Sequence, residues 1–240
     1  MSAEFEYTLR RSARARNVRL KVTPRDGLVV VVPKRYPAKR IPALLTARRD
    51  WIESALARVA PRREHLAGHD PRDRPRELEL QGIGEKWVVE YRPTTASRIS
   101  VASHDDMRLV IFGPVDDAAA CRAATKRWLA RTARDRLVTR LWSIADEHGF
   151  QVNATSVRWQ RTRWGSCSSR GNISINAKLL FLPRQLVDHV LLHELCHTVQ
   201  LDHSSAFWSL FERYEPGCRA VRRDLRDAWR YVPPWIEADI

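Results

Sequence analysis

The stretch HELCHTVQLDH, residues 193–203, places three histidines and a glutamate within eleven positions. On an α-helix His193 and His197, four residues apart, lie one above the other and turn both imidazoles toward a single point. Two ligands of one tetrahedral zinc ion need that separation, with bonds of about 2.0–2.1 Å. Glu194 is rotated by about 100° from its neighbour. Its carboxylate is therefore expected beside the metal, where it suits a base that takes a proton from metal-bound water. His203 would face away on a continued helix, so the chain is predicted to reverse between Thr198 and Asp202. That segment holds no glycine, and Asp202 is expected to adopt the left-handed conformation that turns the chain. Three histidines leave a fourth position open, which distinguishes a catalytic zinc site from a structural one.

The neighbours of the stretch are read differently. His189 extends the ladder back by one turn, but three ligands already satisfy a hydrolytic zinc, so it is expected to support the site or the core. Leu195 and Cys196 point with Leu191, Leu192 and Val199 to the buried side, and Cys196 reads as core packing. Cys167 is a poor fourth ligand, because a thiolate would fill the open position. Metzincins have the same three-histidine spacing but carry Gly where this chain has Gln200 and a methionine turn downstream. Here Met1 and Met107 both lie upstream, which excludes that group.

Working outward, SVRWQ (156–160) and GNISIN (171–176) read as short strands around RTRWGSCSSR, and a helix is predicted after Pro183, a favoured first helical residue. Residues 116–148 space Trp128, Leu129, Leu137, Leu141, Trp142 and Ile144 as a helical stripe closed by Gly149. Two further helices are predicted after Ser204 and after Glu215-Pro216-Gly217. In the front half, VRLKVTPRDGLVVVV (18–32) reads as a hairpin and residues 38–59 as a helix. The Pro- and charge-rich stretch 61–77 reads as a linker, where His65 and His69 stand four apart but prolines on both sides argue against a helix that would align them. Strand-like pieces follow at 78–93, 98–103 and 107–113. The predicted class is α+β, a β-rich N-terminal region over 1–113 followed by a helical domain over 114–240.

Composition sets the remaining bounds. The 240 residues carry four scattered cysteines without CxxC spacing, which suggests neither a disulfide framework nor a four-thiolate zinc site and fits a reducing compartment. The longest apolar run, LVVVV at 28–32, stops at Pro33 and is too short to span a membrane. A cytoplasmic protein without membrane partners is expected. The net charge is +14, and residues 1–60 hold 14 basic against five acidic residues. That excess reads first as a solvated basic face and second as a surface for a polyanion.

With its flanks the sequence resembles the YgjP-like metallopeptidase family, a zincin group related to the SprT-like proteases. The resemblance is carried by RTRWGSCSSRGNISINAKLLFLP (161–183) and VLLHELCHTVQLDHSSAFW (190–208), and more loosely by the basic, β-rich front half with its DWIESAL helix. It implies a zincin-like core with a short substrate-edge sheet, Zn2+ on His193, His197 and His203, and Glu194 as the catalytic glutamate. Ala177 departs from the family pattern, where an aromatic is usual, and so does His189, where Tyr is usual. The resemblance further implies that Asn172, Ile173, Ser174, Ile175 and Asn176 form the strand edge along which a peptide substrate pairs. Trp164, Gly165, Ser166 and Cys167 precede it, either as a tight turn whose Trp plugs the core or in contact with substrate. Arg161, Arg163, His189 and Tyr214 are the options for stabilising the oxyanion. The expected function is zinc-dependent peptide hydrolysis. The alternative is a nucleic-acid-associated protease acting on bound proteins, motivated by Arg10, Arg11, Arg14, Arg16 and Arg19. A zinc protein without hydrolytic activity is a third option, which requires four protein ligands.

Overall fold

The computed structural model describes residues 5–68, 70 and 73–238. The chain divides into two compact units, residues 1–69 and 70–240. In the first, β1 (Tyr7–Ser12), β2 (Arg19–Thr23) and β3 (Gly27–Pro33) form a sheet of order β1-β3-β2, with β3 parallel to β1 and antiparallel to β2. The expected hairpin is present, and Gly27, at φ 65°, supplies the left-handed residue that leads into β3. Successive strand residues face opposite sides. Leu28, Val30 and Val32 accordingly pack with Ile41, Leu45 and Ile52 from α1 (Ile41–Thr46) and α2 (Arg49–Ala67). On the other face Arg10 and Arg19 flank Val31, and Lys21 adjoins Val29.

The helix predicted over 38–59 is split into two, and α2 runs on through Pro61 to Ala67. A mid-helix proline costs about 3 kcal/mol, but Arg62 to Ala67 is largely a run of good helix formers. The linker is correspondingly shorter than the predicted 61–77. His65 lies on α2, and His69 lies outside the described residues.

In the second unit, β4 (Glu77–Leu80), β5 (Glu85–Pro93), β6 (Ser100–Ser103) and β7 (Arg108–Gly113) form a sheet of order β4-β5-β7-β6. Its inward side chains, Leu78, Leu80, Trp87, Val89, Leu109 and Ile111, belong to one core with Trp128, Leu129, Leu137 and Leu141. The Trp87 and Trp128 rings meet edge to face at 4.9 Å. Strands 77–113, grouped by sequence with the N-terminal region, therefore share their core with the helices that follow. Those helices are α3 (Ala118–Ala133) and α4 (Thr139–His148), joined by one π-helical turn over Arg134–Val138. Gly149, at φ 73°, ends α4 as predicted.

The third sheet positions the site. β8 (Ala154–Arg158), β9 (Gly165–Cys167) and β10 (Asn172–Asn176) are ordered β8-β10-β9, with β10 parallel to β8 and antiparallel to β9. Ile173 and Ile175 enter the core beneath α5 (Arg184–Cys196), which is followed by α6 (Ser205–Tyr214), α7 (Cys218–Leu225) and α8 (Pro234–Ala238). Pro183 caps α5 from just outside, its carbonyl accepting from the Leu186 and Val187 amides. Lys178, after β10, is 2% exposed and its Nζ donates to Glu237 of α8 at 2.8 Å. No helix among the described residues is long and apolar enough to cross a membrane.

Candidate metal centre

α5 is buried on nearly every side, so its polar residues need a reason to be inside. Leu191, Leu195 and Cys196 are fully buried in the core, which agrees with the packing role read for Cys196. His193 and His197 share the face turned toward α6. Their Nε2 atoms stand 3.2 Å apart.

The helix ends at Cys196 and the chain then turns back. No residue from Thr198 to His203 has a positive φ, so Asp202 does not take the left-handed conformation expected of it. Tight backbone bonds begin the reversal instead, Thr198 and Val199 donating to the carbonyls of Leu195 and Cys196. Side chains complete it: Asp202 accepts from the Ser204 amide and from Gln200 Nε2, both at 3.1 Å. Hydrogen bonding from the Ser204 side chain, then from Gln200 and the Ser204 amide, holds the Asp202 carboxyl below its ordinary value. His203 thereby comes back, its Nε2 lying 3.1 Å from that of His193. The three residues offer nitrogens all within 4.8 Å of one another.

Beneath them lies Phe207, with its ring centroid 4.9 Å from His193, 4.5 Å from His197 and 5.0 Å from His203. Phe207 is fully buried. Trp208 flanks His203 at 5.9 Å. The Ser-x-x-Phe-Trp signature was visible in the sequence, but the role of Phe207 as a common seat was not. The signal for it was helical phase: Phe207 and Phe211 are four apart on α6 and face α5.

The donor set fits a metal ion. Tetrahedral bonds of about 2.0–2.1 Å put neighbouring donor atoms roughly 3.3 Å apart, close to the two Nε2 separations. Desolvation, followed by the neighbouring imidazoles, pushes His193 down to about 3, and desolvation also lowers His203. Both are therefore neutral near pH 7, as ligands must be. His197 Nδ1 lies 2.9 Å from the Gln200 carbonyl. Donation of an N–H there leaves the Nε2 lone pair directed at the cluster. Three imidazoles and no thiolate or carboxylate suit zinc.

Glu194 is 5% exposed, and burial raises its carboxyl to about 7 against the opposing charge of Arg163. Gly165 of β9 makes room for it: a Cβ on Gly165 would lie 2.6 Å from Glu194 Oε1 and 2.7 Å from its Cγ. In the sequence the Trp-Gly-Ser-Cys motif reads as a tight turn or a substrate contact, and neither reading anticipates strand β9 or the packing of Gly165 on Glu194. The reason for the glycine is close approach, since its φ is not positive. Trp164 packs against the core. Burial lifts the Cys167 thiol to about 11, so it remains protonated.

Two expectations about neighbouring residues are revised. β10 was expected to offer a free edge, yet it is the middle strand, paired through Asn172–Asn176 with β8 and through Ile173–Ile175 with β9. The exposed edge next to Glu194 belongs to β9. The bonds Asn176 N–H to Trp164 O and Ser168 N–H to Asn172 O point residues 164, 166 and 168 toward β10, so the main-chain groups of Gly165 and Cys167 face outward. Among the oxyanion options, His189 is 2% exposed and its Nδ1 lies 2.6 Å from Glu215. The Tyr214 ring packs with His148 and Phe150. Arg163 is the one whose charge acts on Glu194.

A buried acid beside three converging imidazoles defines a metal-dependent hydrolase type of site, and sequence comparison gives the class a name. The YgjP-like metallopeptidase domain model matches residues 16–228. The chain belongs to the YgjP-like metallopeptidase family. No curated protein matches significantly. Among solved structures, the metallopeptidase zymogen of Pyrococcus abyssi abylysin is similar at 24% identity and a TM-score of 0.35, over 38% of this chain and 92% of its own.

Two outcomes follow from the packing. Gly165→Ala is expected to displace the Glu194 carboxylate and lower hydrolysis at least tenfold while metal content, read by elemental analysis, stays unchanged. Phe207→Ala is expected to cost about 3–5 kcal/mol in urea unfolding and to weaken zinc binding about 10–100-fold by competition with a chelating dye. Native affinity in that variant would show that the ring does not seat the ligands.

Proposed function

We propose that the chain is a zinc metallopeptidase in which His193, His197 and His203 hold the ion and Glu194 moves the proton. The observation carrying this reading is the approach of three imidazole nitrogens to within 4.8 Å, with a buried carboxylate from the same helix beside them. Zinc held there supplies a Lewis acid that polarises a peptide carbonyl and makes water nucleophilic near neutral pH. Glu194 takes the proton of the attacking water on a carboxylate oxygen and returns it to the leaving amide nitrogen. An acid shifted to about 7 can do both near that pH. The Arg163 guanidinium stabilises the developing oxyanion. The outward main-chain groups of Gly165 and Cys167 pair with the extended substrate.

Glu194→Gln is expected to retain one zinc per chain and lose hydrolysis of a peptide library by 10²-fold or more. Chelation should abolish wild-type hydrolysis, and added zinc should restore it. Cleavage at the native rate by the Gln variant would remove Glu194 from the mechanism.

A second reading adds nucleic acid as a partner of the N-terminal unit. Arg10, Arg19 and Lys21 lie on the sheet face away from the core, and Arg14 and Arg16 are exposed in the β1–β2 connection. Arg11 is occupied elsewhere, donating to the carbonyls of Lys34 and Tyr36. Arg10 bridges to Asp26 at 3.2 Å. A patch of this kind binds phosphates without reading bases. Duplex DNA is expected to bind with a steep log-log salt dependence that becomes shallower in Arg19→Glu/Lys21→Glu. Absence of binding above low salt ends this reading.

A further inference from the structure

The face of the third sheet turned away from the core carries a row of hydroxyls that the hydrolytic site does not use. Ser174 of β10 lies between Ser156 of β8 and Ser166 of β9 in register, so three hydroxyl side chains cross the sheet in one row. They line a cavity of about 550 Å3, within the range of about 300–1,000 Å3 typical of ligand sites. Arg158, Arg163 and Gln160 complete its polar wall, and among the described residues no carboxylate lines it. Ser174 Oγ and Gln160 Oε1 are both buried without a hydrogen-bond partner. Such atoms are costly unless something else satisfies them.

The wall is held in place. Asn176, 1% exposed, donates through Nδ2 to the Gln160 carbonyl at 2.9 Å and the Arg163 carbonyl at 2.7 Å, which pins the segment between β8 and β9. The Arg158 guanidinium, a free hydroxyl and an amide that can turn its NH2 inward match one planar carboxylate. A nucleic-acid backbone would need a continuous basic track. Ser166 and Cys167 border the cavity and also belong to the edge strand β9. A peptide paired along that edge turns alternate side chains toward the Ser166 face and the others toward α5.

We propose that this cavity is a specificity subsite that receives an Asp or Glu side chain of the polypeptide being cut. The proposal rests on the peptidase reading for the direction in which substrate runs, while the cavity and its unpartnered groups stand independently of it.

A digest of a random peptide library by the zinc-loaded protein is expected to enrich Asp and Glu about tenfold at one fixed position from the cut. Arg158→Gln should level that preference, and Arg158→Glu should turn it toward Lys and Arg, with thermal melting as the folding control. Independently, Glu194→Gln is expected to bind a fluorescein-labelled acidic peptide about tenfold more tightly than its amide counterpart by fluorescence anisotropy. Cleavage without acidic preference overturns the subsite and leaves the peptidase reading intact. Preferential acidic binding by the variant, together with no cleavage by the zinc-loaded wild type, supports the subsite and removes the peptidase reading. Equal binding of the acidic and amide peptides overturns the proposal.

Discussion

Everything at the centre depends on three imidazoles meeting over one buried phenyl ring. The Nε2 atoms of His197 and His203 stand 3.1–3.2 Å from that of His193, the spacing that neighbouring ligands of one tetrahedral ion require. Phe207 makes it possible from below, because the three rings share its surface and each gives up water in doing so. Two of the histidines come from α5 and the third from the turn beyond it, so the ring ties helix, turn and α6 into one object. The same desolvation keeps His193 unprotonated. Packing and ligand chemistry thus have one cause.

The second constraint is the narrow gap between α5 and β9. Glu194 is buried because the main chain at Gly165 lies directly on its carboxylate. Burial lifts its affinity for a proton, and the positive charge of Arg163 limits the rise. The strand that covers the acid is also the strand with an unpaired side. A peptide bound there would be brought to the acid by the same three residues that shape it, Gly165, Ser166 and Cys167.

Much of this was legible in the sequence, and what was missed has a common character. The i, i+4 spacing of His193 and His197 is local, as is the impossibility of reaching His203 on a straight helix, so the ligand cluster could be expected from eleven residues. How the chain turned was harder: Asp202 acts through its side-chain oxygen, and polar residues can bend a chain either by conformation or by hydrogen bonding. Strand order is not local at all. Asn172–Asn176 was expected at an edge because the family resemblance implied it, but strands ending fourteen residues and only five residues earlier claim both its sides. The assignment of strands 77–113 to the N-terminal region failed to anticipate their core for the same reason, since burial against α3 and α4 joins residues far apart in the chain. Pro61 signalled a helix end, and the flanking helix formers outweighed it.

The bond between Lys178 and Glu237 reaches beyond stability. An ammonium group 2% exposed, placed directly after the central strand of the third sheet, has its countercharge on α8. Stripping such a cation of its partner typically costs about 3–5 kcal/mol. α8 therefore acts as a plug: removing it would be felt at the floor of the sheet, about sixty positions earlier in the sequence.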